Sequence, residues 1–171
     1  SSSADRKANS MAWENLERDL ERGQLARHRA ERSELERHRQ VASDFAMAAR
    51  LPGIPDSVRF SNLYDAAHAI ALAGLKLAGY RAREGEGNRQ LTLSCIEQTL
   101  ALRKGSAATL VEANRLRSLM QYQGSDVDVP DHLLAGLQVA IDEGLAELAT
   151  RLRSISPPPP SAAPPPPAAS S

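Results

Sequence analysis

The chain has 171 residues, 42% of them hydrophobic, enough for one domain with a packed core plus extensions. Its 21 basic and 21 acidic residues cancel, which excludes a global field drawing it to nucleic acid or membrane and leaves room only for a local basic patch. Aromatic and β-branched residues are few beside Ala, Leu, Glu and Arg, a composition that points to an all-α protein.

The single cysteine, Cys95, excludes an internal disulfide and a Cys-based zinc cage, and is expected as a small buried hydrophobe rather than a nucleophile. Residues 1–10 carry no hydrophobic pattern and read as a disordered extension, native or added, ahead of a natural-looking start at Met11. From there Trp13, Leu16 and Leu20 share one helical stripe, and Gly23 is expected to bend or break the helix. Leu25 to Gln40 is charged nearly all round, with only Leu25 and Leu35 standing out as apolar. It is expected as a helix that is solvent-bridging or packed on a partner through a narrow seam. Glu34 with His38 or Arg37, and Glu36 with Arg39, would be its surface pairs.

An apolar face of Phe45, Met47 and Ala48 follows, and that helix must stop before Pro52. Ser61 to Arg83 is the most hydrophobic segment and is expected as a central helix, with Asp65, His68 and Lys76 on one narrow polar stripe and glycines 85 and 87 closing it. A shorter helix is expected over Leu91 to Leu102. Ser106 is then placed to cap a helix that buries Ala108, Thr109, Ala113, Leu116, Leu119 and Met120 and ends near Tyr122. Pro130 opens the last helix, whose Leu134, Leu137, Ile141, Leu145, Leu148, Leu152 and Ile155 form a near-heptad seam. The final SPPPPSAAPPPPAASS cannot build a core and reads as a polyproline II or disordered tail.

The expected architecture is an up-and-down four-helix bundle over 41–155, preceded by a charged helical arm (11–40) and followed by a Pro-rich tail (156–171). No apolar run reaches the ~20 residues that span a bilayer, and no signal peptide is visible. A soluble, cytoplasmic protein with no membrane partner is expected. The long Leu seam and the narrow apolar edge of the arm suggest a homodimer.

Two stretches carry a family resemblance. YDAAHAIALAGLKLAGYRAREGEGNRQL, from Tyr64 to Leu91, resembles the second helix and following loop of HEPN (higher eukaryotes and prokaryotes nucleotide-binding) proteins, in which an aromatic-Ala-Ala-aromatic-His helix leads to a Gly-containing loop. LRSLMQYQGSDVDVPDHLLAGLQVAIDEGLAEL, from Leu116 to Leu148, is similar to the other half, where Arg-x4-His or Arg-x4-Tyr closes the third helix before an acidic turn and a long fourth helix. The resemblance covers roughly Ser57 to Arg153 and implies a dimeric four-helix bundle of toxin–antitoxin or phage-defence systems, with a nucleotidyltransferase or antitoxin as partner and RNA as ligand. No cofactor or metal is implied. On the family's Arg-polar-x3-His motif, Arg117 matches the arginine, Ser118 stands where Asn or Asp is usual, and Tyr122 replaces the histidine. A phenol, with an ordinary pKa of about 10, is poorly matched to proton transfer at neutral pH, so the replacement argues against efficient metal-free RNA cleavage.

Helical geometry adds a second reading. At 100° per residue Arg117 and Tyr122 point about 140° apart, whereas Arg115, Ser118 and Tyr122 lie within about 60° of one another. Arg115, Arg117, Ser118 and Tyr122 are therefore the candidate phosphate- or RNA-binding set, because guanidinium, hydroxyl and phenol groups together can hold a phosphate. The bland alternative is a solvated helix end with Tyr122 packed on the last helix. Catalytic candidates are Arg117, Tyr122 and His68, the last with Asp65 one turn away as a carboxylate that could orient it. Three functions stay open: a noncatalytic or weakly active HEPN-type module binding RNA, nucleotide or a protein partner; a metal-independent endoribonuclease toxin; and a helical assembly protein.

Overall fold

In the computed structural model, which describes residues 14–85, 88–124, 127–155 and 167–168, the chain runs α1 (helical over 14–21), β1 (Leu25–Arg27), α2 (Arg32–Ala49), α3 (Asp56–Leu77), β2 (Tyr80–Ala82), α4 (Asn88–Ser94), α5 (Ile96–Leu100), α6 (Lys104–Gln123) and α7 (Asp131–Ser154). The described residues are all-α apart from one short ribbon. Trp13, the extension over 1–10 and the Pro-rich tail, save residues 167–168, lie outside them. Among the described residues no helix is long and apolar enough to cross a membrane.

Small side chains put α3 at the centre. Its Ala66, Ala67, Ala69, Ala71, Ala73 and Gly74 are all buried, so neighbours can approach from several sides. α2 and α7 pack along it, α4 and α5 cover another flank, and α6 packs on α7 and reaches α4. Phe60, Leu63, Tyr64 and Ile70 of α3 share one cluster with Leu133, Leu137, Ile141, Leu148 and Leu152 of α7.

A second, smaller cluster joins Leu16, Leu25, Leu75, Tyr80 and Cys95. It exists because the arm is not one helix. α1 ends at Gly23, whose φ of 74° is open to glycine, and the chain re-enters as a strand. β1 pairs antiparallel with β2 in the register Leu25↔Ala82, Ala26↔Arg81, Arg27↔Tyr80. Leu25 and Tyr80 thus face inward together, and Tyr80 donates its hydroxyl proton to Glu17 Oε1 at 2.6 Å.

Several expectations are corrected. Leu25–Arg27 is strand rather than helix, and the boundary drawn between Gln40 and Val41 falls inside α2. The buried face of α2 is Leu35, Ala42, Ala46 and Ala49, leaving Met47 66% exposed. Glu34 pairs with Lys76 of α3 at 2.5 Å instead of with His38 or Arg37, while Glu36 and Arg39 do pair, at 3.0 Å. The central helix starts earlier, behind Pro55, and stops at Leu77, where Gly79 takes a φ of 95° into β2. The single helix expected over Leu91–Leu102 is two, α4 and α5, with a turn at Cys95. Ser106 does not cap α6: it is buried and donates to Glu143 Oε2 of α7 at 2.7 Å, while Glu143 Oε1 takes the Arg103 backbone N–H at 2.7 Å. The inner face of α6 is Ala107, Leu110 and Ala113, so Ala108 and Leu119 point outward.

Candidate functional site

Where α4 crosses α6, side chains from three helices enclose a mostly polar cleft of about 420 Å³. α3 contributes Tyr64, α4 contributes Asn88, Arg89 and Gln90, and α6 contributes Arg117, Ser118, Gln121 and Tyr122.

Its floor is a closed ring of hydrogen bonds. Tyr64 donates its hydroxyl proton to Asn114 Oδ1 at 2.8 Å, and Asn114 Nδ2 donates to the Gln90 carbonyl at 3.4 Å. The Gln90 amide donates to Ser118 Oγ, and Ser118 donates in turn to the Asn114 carbonyl at 3.1 Å. Together these bonds fix α3, α4 and α6 to one another, and they occupy the Ser118 hydroxyl inside the chain. Burial pushes the Tyr64 phenol above its ordinary range, so it stays protonated at neutral pH.

Two guanidiniums stand over this floor. Arg89 is tied to Asp65 at 3.0 Å, which partly cancels its charge. Arg117 lies over the Tyr64 ring, 5.4 Å from its centroid, with Nη1 at 3.4 Å from Ser61 Oγ. Among the described residues no carboxylate pairs with Arg117. Tyr122 stands at the rim and is 91% exposed, so it does not pack on α7.

The candidate set is divided by this geometry. Arg117, Ser118 and Tyr122 line the same cleft, although the helix is regular to Gln123 and Arg117 leaves it well away from the direction of Tyr122. The long Arg117 side chain closes the gap by leaning back along α6 onto Tyr64. Arg115 falls on the other side of Ser118, in a shallow depression with Leu91 and Ser94. His68 is not among the cleft residues, and its expected partner Asp65 is engaged by Arg89 instead. Burial, reinforced by the charges of Arg89 and His38, lowers the His68 imidazole to about 4. Cys95 is 4% exposed, and burial pushes its thiol up to about 11, which makes it a poor nucleophile. Among the described residues no three His, Cys, Asp or Glu side chains converge as a metal cage.

Reading the sequence missed Arg89, Gln90, Asn114 and Gln121. Asn114 and Gln121 carried a usable signal, since both lie three or four residues from Arg117 or Ser118 on α6. Arg89 and Gln90 carried none, because only the packing of α4 on α6 brings them to the cleft. No family model matches the chain, and no curated protein and no solved structure matches it at a significant level.

Proposed function

We propose that this chain is a HEPN-type helical module that recognises a phosphate-bearing ligand, RNA or nucleotide, in the cleft between α3, α4 and α6, without efficient nuclease chemistry. Its setting would be the defence or toxin–antitoxin context that the resemblance implies, with a nucleotidyltransferase or antitoxin as protein partner. One observation carries the reading. Arg117 is a cation without a carboxylate partner among the described residues, held against Tyr64 in a polar cleft open to solvent. A guanidinium fixed in this way can bind a phosphate with little further loss of side-chain freedom.

The same cleft offers a weak case for proton transfer. His68 lies outside it and is a feeble base with a pKa of about 4, while the Tyr64 hydroxyl is committed to Asn114.

The test is RNA binding and metal-free RNA cleavage by the parent protein and by Arg117→Ala, Arg115→Ala and Tyr122→Phe. Arg117→Ala should weaken binding by roughly tenfold or more, as expected for a lost charge-assisted contact. Arg115→Ala and Tyr122→Phe should change binding by less, and no form should cleave. Unchanged binding in Arg117→Ala would remove the cleft from consideration. Robust cleavage that vanishes in Tyr122→Phe would make the protein an endoribonuclease.

A further inference from the structure

Beside the dimer that the resemblance implies, the homodimer expected from the residues themselves rests on the Leu seam of α7 and the apolar edge of the arm. Both are used inside the chain: Leu137, Ile141, Leu148 and Leu152 are core, as are Leu25 and Leu35. The outer face of α6 is a different matter. Gly105, Ala108, Glu112, Arg115, Leu119 and Tyr122 follow one another at spacings of three and four, the interval that keeps one seam of a helix turned toward a partner helix. At 100° per residue they fall within an arc of about 100°, on the side away from the core residues Ala107, Leu110 and Ala113. All six are exposed except Glu112, whose side chain is still 46% accessible.

We infer that this face of α6 is the twofold interface of a homodimer, packed antiparallel on the same face of a second copy. The occupant follows from the order of the side chains. An antiparallel twofold axis passing between Glu112 and Arg115 sets residues in pairs whose numbers sum to a constant. Glu112 then meets Arg115 of the second copy, Ala108 meets Leu119, and Gly105 meets Tyr122. Each pairing occurs twice, and each is complementary: acid with base, and small with large twice over. The Tyr122 phenol, 91% exposed in one copy, is received where Gly105 leaves open space, with nothing within 4 Å of the Cβ position. Glu112 gives Oε1 to His132 at 2.9 Å, which leaves Oε2 for the arginine. Val111, 53% exposed, flanks the seam and extends it toward an apolar groove of about 260 Å³ that holds Leu93 and Ile96. In a parallel pair each residue would meet its own copy, Glu112 against Glu112 and Arg115 against Arg115, and the complementarity would be lost.

Sedimentation equilibrium at micromolar concentration on the parent protein, on Glu112→Arg, on Arg115→Glu and on the double swap tests the interface. The parent is expected to be a dimer. Each single change sets like charges against each other twice and should raise the dissociation constant roughly tenfold or more. The double swap rebuilds both pairs and should bring it back to within a few-fold of the parent. A monomeric parent overturns the inference, and so does a dimer that both single changes leave intact. Single changes that dissociate the dimer without rescue by the swap overturn the antiparallel register. Loss of helical circular dichroism in either single variant would show that this face is internal to the fold, and that too overturns the inference.

Discussion

Lys76 places an ammonium where α3 faces α2, and three neighbours answer it. Its Nζ donates to Glu34 Oε1 at 2.5 Å and to His38 Nε2 at 2.8 Å, while His28 Nε2 lies 2.9 Å from Glu34 Oε2. The hydrogen bond from Lys76, then that from His28, holds the Glu34 carboxyl down to about 2. Burial, then the Lys76 charge, lowers the His38 imidazole. His68, farther along the same stripe, is lowered to about 4, chiefly by burial. All three groups hold fewer protons folded than unfolded, so each contributes stability that is present above its unfolded pKa and lost on acidification. The His68 part is lost as pH falls from 6.5 toward 4, the His38 part is lost as pH falls below 6.5, and the Glu34 part follows as pH falls from 4.5 toward 2. For His68 the difference amounts to about 2–3 kcal/mol between pH 7 and 4.5. Urea unfolding at those two pH values should therefore show His68→Gln losing less stability than the parent. Equal losses would mean that burial of His68 is not what makes the fold acid-sensitive. The network could not be read from spacing, because Glu34 has His38 one turn away in sequence and Lys76 only across the α2–α3 contact.

Glycine in the interior of a helix costs about 1 kcal/mol against alanine, yet Gly74 sits in the last turns of α3 with ordinary helical backbone. Packing accounts for it. A Cβ there would come 2.7 Å from Thr99 Oγ1 and 2.9 Å from Leu100 Cγ, and both residues are themselves buried in α5. Gly74→Ala is thus expected to destabilise by about 1–3 kcal/mol despite its better helix propensity, read as a lower urea midpoint. A gain in stability would show that α5 can step back from α3 at no cost. Helices were legible where the apolar period and a start or stop signal agreed, as for the end of α2 before Pro52 and for α7 behind Pro130. Two things were not. Pairing of β1 with β2 joins segments more than 50 residues apart, and three residues hold too little pattern to announce a strand. The inner face of α6 was placed about one residue off, since the adjacent Ala107 and Ala108 suit core and surface alike. The candidate site divided the same way. Arg117, Ser118 and Tyr122 sit on one element and were found together, while Arg89 and Asp65 meet only through the fold of α4 against α3.

Among the described residues two apolar clusters rather than one hold the fold together. The larger ties α2 to α3, α5, α6 and α7, and it includes Leu35, from the segment expected as a charged helical arm. Removing residues 11–40 would take away the first half of α2 with Leu35, Glu34 and His38, and so would open the main core itself. The smaller cluster is different. α1 covers it from one side with Leu16, 3% exposed, and with half-buried Leu20, while β1 supplies Leu25 from inside the ribbon. Beneath them lies Cys95, 4% exposed, in the turn between α4 and α5. A chain that begins at Gln24 keeps the main cluster and the ribbon but loses both leucines of α1, worth about 1.5–3 kcal/mol each when fully buried. Cys95 then becomes the reporter. In the full chain its thiol should react with an aromatic disulfide reagent only on global unfolding. In the shortened chain it should react at least tenfold faster, a local exposure of the kind that opens low-stability regions first, while far-UV circular dichroism retains most of its helical signal. Protection of Cys95 equal to that in the full chain would mean that α1 does not cover the cluster, and that the ribbon alone seals this end of the molecule.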